Sequence, residues 1–225
     1  MKVLLLAAGY GTRLRPLTLK TPKCLVPIKG IPLLTLWINK INNVFKTEIY
    51  VNTHYLANEV EKYLKQNHPK VNILYEKKLL GTAGTIFNSK SIFKNDDLLI
   101  IHADNYSEDN LQNFKEILFE CKKKNIPLLM AFKTNHPKEC GILSVDKNNI
   151  LNEFIEKPDR PKGNLANCGV YYFPKKIINN ILNKNNYLID LSTELIPKLI
   201  NYAQVYITND LYIDIGTPEK YNLVK

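Results

Sequence analysis

A glycine-rich loop with two basic residues follows the first apolar segment of the chain. Gly9 and Gly11 come directly after the apolar residues 3–8, and Arg13 and Lys23 follow. Glycines at a strand end let backbone N–H groups approach phosphate oxygens with no Cβ in the way. A forked Arg donor and a Lys point charge suit a triphosphate whose two terminal phosphates leave together. The alternative is a surface turn with solvated basic side chains.

Two common phosphate-binding loops do not fit these residues. A Rossmann fingerprint needs a third Gly or Ala where this chain has Leu14, and Pro16 interrupts the helix that should follow. A P-loop needs Gly-x-x-x-x-Gly-Lys followed by Ser or Thr, which the sequence does not contain. The loop therefore indicates neither an NAD site nor a P-loop NTPase.

Two carboxylates follow strand-like segments. Asp104 comes after the apolar residues 98–101, and Asp214 lies between Ile213 and Ile215. Magnesium binds one or two carboxylates together with water and substrate phosphates, so this pair could hold it. The alternative is that Asp104 caps a turn. His102 could be a third ligand, but a histidine within a buried run is more often a satisfied core residue.

A glutamate ends a third strand-like segment. Glu76 precedes Gly81 and Thr82, in a stretch where glycines permit close backbone approach. A carboxylate only accepts hydrogen bonds, so it favours a base with N–H donors on its edge. Guanine has two such donors, and uracil or thymine has one. The alternative is a solvated glutamate beside Lys77 and Lys78.

Strand-like and helix-like segments alternate through the first half of the chain. The predicted strands are residues 3–8, 48–52, 71–75, 98–102, 128–132, 141–145, 150–155 and 169–173, with two more near 205 and 211. The predicted helices are 32–44, 55–66, 82–90, 111–122, 174–182 and 191–200. Alternation predicts right-handed crossovers and a mainly parallel sheet, while the closely spaced strands after 135 predict hairpins. The fold class is therefore α/β, with a mixed sheet flanked by helices in one domain.

Composition narrows the class of protein. The 225 residues are 45% hydrophobic and 23% charged, which is typical of a globular protein with a substantial core. The net charge of +10 permits polyanionic partners, but the lysines are dispersed and no nucleic-acid-binding motif occurs. The first apolar run breaks at Gly9 and no segment reaches membrane-spanning length, so we expect neither signal peptide nor membrane contact. Four scattered cysteines fit a reducing cytoplasm.

The N-terminal residues resemble the signature of the sugar-1-phosphate nucleotidyltransferases. The match is Leu-Ala-Ala-Gly-x-Gly-Thr-Arg-Leu-x-Pro-Leu-Thr from Leu6 to Thr18, followed by Thr-Pro-Lys-x-Leu-Val-Pro from Thr21 to Pro27. These enzymes join a nucleoside triphosphate to a sugar 1-phosphate and release pyrophosphate. Their fold is Rossmann-related and glycosyltransferase-A-like. Asp-Ile-Gly-Thr-Pro from Asp214 resembles their C-terminal metal motif, whereas Ala103 replaces the glycine that usually precedes the first metal aspartate.

The resemblance implies a role for each matching residue. It implies Arg13 and Lys23 as catalytic residues, and Asp104 and Asp214 as ligands of Mg²⁺. The implied nucleotide-binding residues are Leu6, Ala8, Gly9, Gly11, Thr12, Glu76, Gly81 and Thr82. The implied sugar-phosphate-binding residues are Gly141, Glu156, Lys157 and Asn167. Residues 1–134 would form the nucleotide-binding half, and residues 135–225 the sugar-phosphate-binding half.

The resemblance covers nearly the whole chain and implies the minimal catalytic form, of mannose-1-phosphate guanylyltransferase or N-acetylmuramate-1-phosphate uridylyltransferase type. We expect GTP and a mannose- or heptose-like 1-phosphate as substrates, for cell-surface polysaccharide synthesis. Uridylyl, thymidylyl or cytidylyl transfer is the alternative, and a catalytically silent nucleotide-sensing subunit is an alternative of another class. A glycosyltransferase would not need the pair Arg13 and Lys23. The oligomeric state is left open.

Overall fold

The structure is a computed structural model, and it describes residues 1–183 and 188–225. The strands of this part of the chain are β1 Lys2–Leu6, β2 Pro27–Ile28, β3 Ile31–Pro32, β4 Glu48–Thr53, β5 Asn72–Tyr75, β6 Leu98–His102, β7 Asn105–Ser107, β8 Leu128–Lys133, β9 Gly141–Val145, β10 Leu151–Glu156, β11 Leu165–Phe173, β12 Gln204–Ile207 and β13 Tyr212–Asp214. The α-helices are α1 Leu33–Val44, α2 Ala57–Asn67, α3 Gly84–Asn88, α4 Lys90–Phe93, α5 Gln112–Lys124, α6 Lys175–Asn183 and α7 Pro218–Asn222.

The chain divides into two compact units. The first unit comprises Met1–Leu79, Ile100–Leu111 and Leu211–Lys225, and the second comprises Leu80–Leu99 and Gln112–Asp210. The chain passes from the second unit to the first within β6.

Parallel strands form the centre of the first unit. β1 pairs with β4, and β4 pairs with β5, both in parallel, with Leu6 opposite Asn52 and Thr53 opposite Tyr75. β1 is buried from Val3 to Leu6 because these four residues are apolar, as expected for a strand covered on both faces. A parallel sheet presents its ligands beyond the carboxyl ends of its strands. The residues that follow Leu6, Thr53 and Tyr75 therefore lie where this unit can bind a ligand.

Helix α1 packs against this unit through one apolar face. Its buried residues recur at intervals of three or four, as helical periodicity requires, and are Leu33, Leu34, Trp37, Ile38, Ile41 and Val44. The Trp37 indole N–H donates to the Asn105 carbonyl at 2.8 Å. That bond ties α1 to β7, which pairs with β13 in antiparallel.

The second unit has a mixed sheet. β11 pairs with β8 and β9 in antiparallel, β9 pairs with β10 in antiparallel, and β12 pairs with β8 in parallel. The mixed directions predicted after residue 135 are confirmed. Helix α5 buries Phe114, Leu118 and Cys121 on one face.

The prediction of one helix over residues 82–90 is wrong. Two short helices replace it, α3 and α4, and the backbone breaks between them at Ser89. The N–H groups of Ala83 and Gly84 bind the Ile189 carbonyl at 2.9 and 3.4 Å, which fixes residues 82 and 83 as a loop. The small strands β2, β3 and β7 were not predicted, because runs of two or three residues carry no periodicity.

Candidate active site

The glycine loop has a shape that depends on Gly11. Its φ of +61° lies in the left-handed region, and a Cβ there would meet Thr18 Cγ2 at 3.0 Å and Lys23 Cβ at 3.2 Å. The Thr18 hydroxyl donates to the Gly11 carbonyl at 2.7 Å. Gly11 therefore lets Thr18 and Lys23 approach the loop closely.

The other loop residues lie on either side of Gly11. Leu6 and Ala8 are buried at the end of β1, and Gly9 is exposed. Thr12 begins a single 3₁₀ turn, Thr12–Leu14, which carries Arg13 outward. The loop thus follows β1 at its carboxyl end, as the sequence predicts.

Four charged residues meet in the first unit. The Lys23 ammonium lies 2.9 Å from Asp104 Oδ2 and 2.9 Å from Asp214 Oδ1, and Arg13 Nη2 lies 3.2 Å from Asp214 Oδ2. Asp104 follows β6, and Asp214 ends β13, where it pairs with Asn105. Pairing of β7 with β13 therefore brings together two carboxylates that are far apart in the sequence.

The environment favours the charged forms of this cluster. Burial disfavours the Lys23 ammonium, but the attraction of Asp104 and Asp214 outweighs burial and raises the pKa of Lys23 above its usual value. Burial likewise disfavours the Asp214 carboxylate, yet Lys23 and then Arg13 hold the pKa of Asp214 below its usual value. An almost buried lysine is stable only with partners of this kind.

Gly216 completes the cluster, and its position was not singled out from the sequence. Its backbone N–H donates to Asp214 Oδ1 at 2.9 Å. A Cβ at this position would lie 2.8 Å from Arg13 Nη2 and 2.9 Å from Asp214 Oδ1. The glycine between Asp214 and Thr217 therefore leaves room for the Arg13 guanidinium.

The two aspartates suit a hard divalent cation. Each aspartate points one carboxylate oxygen at the Lys23 ammonium, so both face a position that a positive charge already occupies. Two carboxylates leave most of the coordination of Mg²⁺ to water and phosphate oxygens, as that ion prefers. Among residues 1–183 and 188–225, no three His, Cys, Asp or Glu side chains are grouped as a metal site. His102 is therefore not grouped with the two aspartates as a third ligand.

Glu76 is held inside the first unit. Only 3% of its surface is exposed, so the alternative of a solvated surface glutamate is wrong. Its Oε1 accepts from the Asn52 amide at 2.9 Å, and Asn52 Oδ1 accepts from the Ala7 N–H at 2.7 Å. Asn52 was not predicted as a site residue, although a polar residue near the end of a buried strand is a usable signal.

An aromatic cluster lies beside the glycine loop and was also missed. The ring centroids of Tyr10 and His54 are 5.6 Å apart, and those of Tyr10 and Tyr55 are 5.4 Å apart. His54 Nδ1 lies 2.9 Å from the Glu76 carbonyl, which can only accept, so Nδ1 carries a proton. In the neutral ring, Nε2 then accepts from the Tyr10 hydroxyl at 3.1 Å. This chain of bonds links the glycine loop to residue 76.

The loop at Gly81 and Thr82 belongs to the second unit. The Thr82 hydroxyl donates to Asp190 Oδ2 at 3.0 Å and accepts from the Leu191 N–H at 2.8 Å. Gly81 has a φ of +79°, and a Cβ there would clash with the Ile189 carbonyl oxygen. The loop is thus attached tightly to residues 189–191.

Gly141 and Glu156, two of the predicted sugar-phosphate residues, pair across β9 and β10. A Cβ at Gly141 would lie 2.6 Å from Glu156 Oε2, so the glycine makes room for that carboxylate. Burial raises the pKa of Glu156; Lys157 opposes this effect, and Asp190 adds to it. The Lys157 ammonium lies 3.9 Å from Glu156 Oε1.

Asn167 bonds within the second unit. Its amide donates to the Tyr171 hydroxyl at 2.6 Å, and its Oδ1 accepts from the Gly169 N–H at 3.1 Å. The structure thus groups Gly141, Glu156 and Lys157, whereas the Asn167 side chain bonds to Tyr171 and Gly169. Its role in holding a sugar stays a prediction.

Comparisons with known proteins identify the class. The family model described as nucleotidyl transferase matches residues 2–224, and the chain belongs to this family. The predicted membership of the sugar-1-phosphate nucleotidyltransferases is confirmed.

Three relatives illustrate the likeness. Mannose-1-phosphate guanyltransferase 2 of Candida glabrata is 31% identical over 98% of this chain and 63% of its own length. The bifunctional protein GlmU of Methanocaldococcus jannaschii is 34% identical over 80% of this chain and 42% of its own length. The crystal structure of HddC from Yersinia pseudotuberculosis, complexed with GMP-PN, superposes with a TM-score of 0.80 at 25% identity, covering 99% of this chain and 97% of HddC.

The predicted α/β fold class, with a mixed sheet flanked by helices, is confirmed, and the similar solved structures are nucleotidyltransferases of glycosyltransferase-A-like fold. The chain spans less than two thirds of the length of these two curated relatives. No helix within residues 1–183 and 188–225 is long and apolar enough to cross a membrane.

Proposed function

We propose that this chain transfers a nucleotidyl group from a nucleoside triphosphate to a sugar 1-phosphate and releases pyrophosphate. The observation that carries the proposal is the cluster in which Lys23 contacts Asp104 and Asp214 while Arg13 contacts Asp214. Family membership supports the same reaction. The cluster also argues against a silent nucleotide-sensing subunit, because sensing alone does not need it.

The reaction is an in-line displacement. A sugar phosphate oxygen attacks the α-phosphorus of the triphosphate, the new P–O bond forms, and the bond to the β-phosphate oxygen breaks. A phosphate monoester has a second pKa near 6, so the nucleophile is already ionised at neutral pH and no general base is needed. The difficulty is to bring anions together, and catalysis therefore requires neutralisation of charge and alignment.

Basic residues of this chain supply that neutralisation. Arg13 and Lys23 follow the glycine loop and would bind the departing pyrophosphate, while backbone groups near Gly9, Gly11 and Thr12 would hold the phosphates. Asp104 and Asp214 would hold Mg²⁺, which supplies further positive charge to the phosphates when it is bound. Lys23 would then release one or both carboxylates to bind phosphate.

In the second unit we propose that Gly141, Glu156, Lys157 and Asn167 hold the sugar 1-phosphate. The exposed Lys157 ammonium suits the phosphate, and the half-buried Glu156 carboxylate suits sugar hydroxyls. Thr82 would bind the nucleotide through its backbone groups, because its hydroxyl is already hydrogen-bonded to Asp190 and to the Leu191 N–H.

The proposed substrates are GTP and a mannose- or heptose-like 1-phosphate. The C. glabrata relative is named a mannose-1-phosphate guanyltransferase, and the similar HddC structure contains GMP-PN. Transfer from UTP, dTTP or CTP is the alternative. We place the reaction in the cytoplasm, for polysaccharide synthesis; all four cysteines are free thiols.

Pyrophosphate release over four nucleotides and several sugar 1-phosphates tests the proposal. Wild-type protein should release pyrophosphate only when both substrates and a divalent cation are present. Asp104→Asn and Asp214→Asn should each lower turnover by about 100-fold or more while the fold is retained. Asp159→Asn, at an exposed carboxylate, is the matched control and should retain full turnover. Undiminished turnover of either site variant at limiting Mg²⁺ would remove that residue from the cation site.

A further inference from the structure

Tyr10 is an exposed aromatic residue within the glycine loop, between Gly9 and Gly11. Its exposed fraction is 43%, although its ring is large and mostly apolar. A Cβ at Gly9 would meet no atom of residues 1–183 and 188–225 within 4 Å, so the space beside the loop is open at this point. The loop follows the carboxyl end of β1, where a parallel sheet binds its ligands. Tyr10 therefore lies next to open space at the ligand-binding edge of the first unit.

The Tyr10 ring is held in place despite its exposure. Its hydroxyl donates to His54 Nε2 at 3.1 Å, and the centroid of the Tyr55 ring lies 5.4 Å from its own. His54 is bonded in turn to the Glu76 carbonyl at 2.9 Å, and the Tyr55 hydroxyl donates to the Thr18 carbonyl at 2.9 Å. A side chain that is already restrained loses little conformational entropy when a ligand binds to it. Tyr10 is thus preorganised as a binding surface.

Neither of these two neighbouring rings lies parallel to the Tyr10 ring. The interplanar angle is 83° with His54 and 58° with Tyr55. Offset parallel stacking is a favourable arrangement of aromatic rings, and Tyr10 does not use it with either neighbour. A flat aromatic ligand can therefore add a stacking contact to the exposed part of this ring.

We propose that Tyr10 is a nucleotide-binding residue, and that the base of the bound nucleotide stacks on its ring. This inference rests on the proposed function, in which backbone groups near Gly9 and Gly11 hold the triphosphate. A ligand that meets both the loop backbone and the Tyr10 ring must combine phosphate groups with a flat aromatic ring, and a nucleotide does so. Every base has a flat π face, so this contact should strengthen binding of all nucleotides without choosing among them.

The hydroxyl and the ring of Tyr10 can be tested separately. Tyr10→Phe keeps the ring and loses the hydrogen bond to His54, whereas Tyr10→Leu keeps apolar bulk and loses the ring. Stacking predicts that the phenylalanine variant binds nucleotides nearly as well as the wild type and that the leucine variant does not. If Tyr10 only held the loop through His54, both variants would lose the same affinity.

The experiment measures equilibrium binding of GTP, UTP and CTP by calorimetry, with Mg²⁺ in excess and without sugar phosphate. Tyr10→Leu should weaken binding of all three nucleotides at least about fivefold, and Tyr10→Phe should stay within about twofold of the wild type. Binding of inorganic tripolyphosphate, which has no base, should change less than about twofold in both variants. Tyr202→Leu, at a tyrosine of the second unit with 38% exposure, is the matched control and should change none of these affinities.

A larger ring tests the same contact in the opposite direction. Tyr10→Trp should bind the three nucleotides at least as tightly as the wild type, and it keeps the inference testable if the leucine variant does not fold. Weaker binding of all three nucleotides by the tryptophan variant, in folded protein, would then overturn the inference.

Three further results would overturn it. They are unchanged nucleotide binding in Tyr10→Leu, equal losses in the leucine and phenylalanine variants, and a loss of tripolyphosphate binding as large as that of GTP. A raised KM for mannose 1-phosphate with unchanged GTP binding would assign the ring to the sugar instead, and would also overturn it. Failure of the proposed function is distinct, since it would appear as absence of pyrophosphate release by the wild-type protein.

Discussion

At the scale of single residues, the Lys23 ammonium is the centre of the candidate site. It is 7% exposed and contacts two carboxylates, whereas the Arg13 side chain is 59% exposed and contacts one. A buried charge that loses its partner is far more costly than an exposed one. The two basic residues should therefore differ in their contribution to stability, even though the proposed chemistry uses both.

Replacement of each basic residue by alanine tests this difference. Arg13→Ala and Lys23→Ala should both lower kcat more than they raise the KM for nucleotide, because both charges act on the departing pyrophosphate. Lys23→Ala should also lower the free energy of unfolding by about 3 kcal/mol. Arg13→Ala should change it by less than about 1 kcal/mol. Steady-state kinetics and denaturant titration measure both effects, and a pure KM effect in both variants would reduce these residues to substrate binding.

The Asp214 carboxyl predicts a pH dependence of stability. Its pKa is lower in the folded protein than the usual 3.8. Such a group stabilises the fold above its usual pKa, and the contribution disappears as the pH falls through the folded value. The wild-type advantage over Asp214→Asn in free energy of unfolding should therefore be constant near neutral pH and shrink below about pH 4. Denaturant titrations at several pH values check this, with Asp159→Asn as control, and an advantage that persists in acid would contradict it.

At the scale of elements, the sequence predicts the longer strands better than it predicts the short helices and the small strands. The strand at Leu98–His102 agrees with the prediction because an uninterrupted apolar run ends at a polar residue. Helix α3 begins two residues later than predicted because the Ile189 carbonyl binds the N–H groups of Ala83 and Gly84. That partner is remote in the chain, and local periodicity contains no information about it.

In the candidate site, too, local sequence predicts some of the residues but not the contacts that distant segments make with them. Gly11, Lys23 and Asp104 were predicted because each follows a recognisable segment, and a resemblance supplied their roles. The partner of Glu76 was missed, since nothing near Asn52 in the sequence reveals that Ala7 fixes its amide. Hydrogen bonds between distant segments are properties of the folded chain.

The loop at Thr82 allows a test at this scale. Its hydroxyl both donates to Asp190 and accepts from Leu191, so Thr82→Val removes two hydrogen bonds between the loop and residues 189–191. We expect a loss of about 1 to 3 kcal/mol in the free energy of unfolding and a higher KM for nucleotide. Thr82→Ser keeps the hydroxyl and should lose less than half as much. A loss in Thr82→Ser as large as that in Thr82→Val would mean that the methyl group contributes as much as the hydroxyl, and no loss in Thr82→Val would mean that the hydroxyl does not hold the loop.

At the scale of the whole molecule, the two units carry different parts of the proposed function. The first unit contains the charged cluster and the Asn52–Glu76 pair, and the second contains Gly141, Glu156 and Lys157. The family model extends from residue 2 to residue 224 and therefore includes both. The net charge of +10 is consistent with two anionic substrates, although it does not identify them.

Transfer of the α-phosphorus is the central claim, and an isotopic label follows it directly. GTP labelled with ³²P at the α-position is incubated with the protein, Mg²⁺ and mannose 1-phosphate or a heptose 1-phosphate. The account predicts that the label moves into a nucleotide sugar while unlabelled pyrophosphate is released in equal amount. Asp214→Asn should slow the transfer by about 100-fold or more. The measurement is repeated with UTP, dTTP and CTP, each labelled at the α-position. The account would be contradicted if the label always stays in the triphosphate, or appears only in the free di- or monophosphate, with every sugar 1-phosphate supplied.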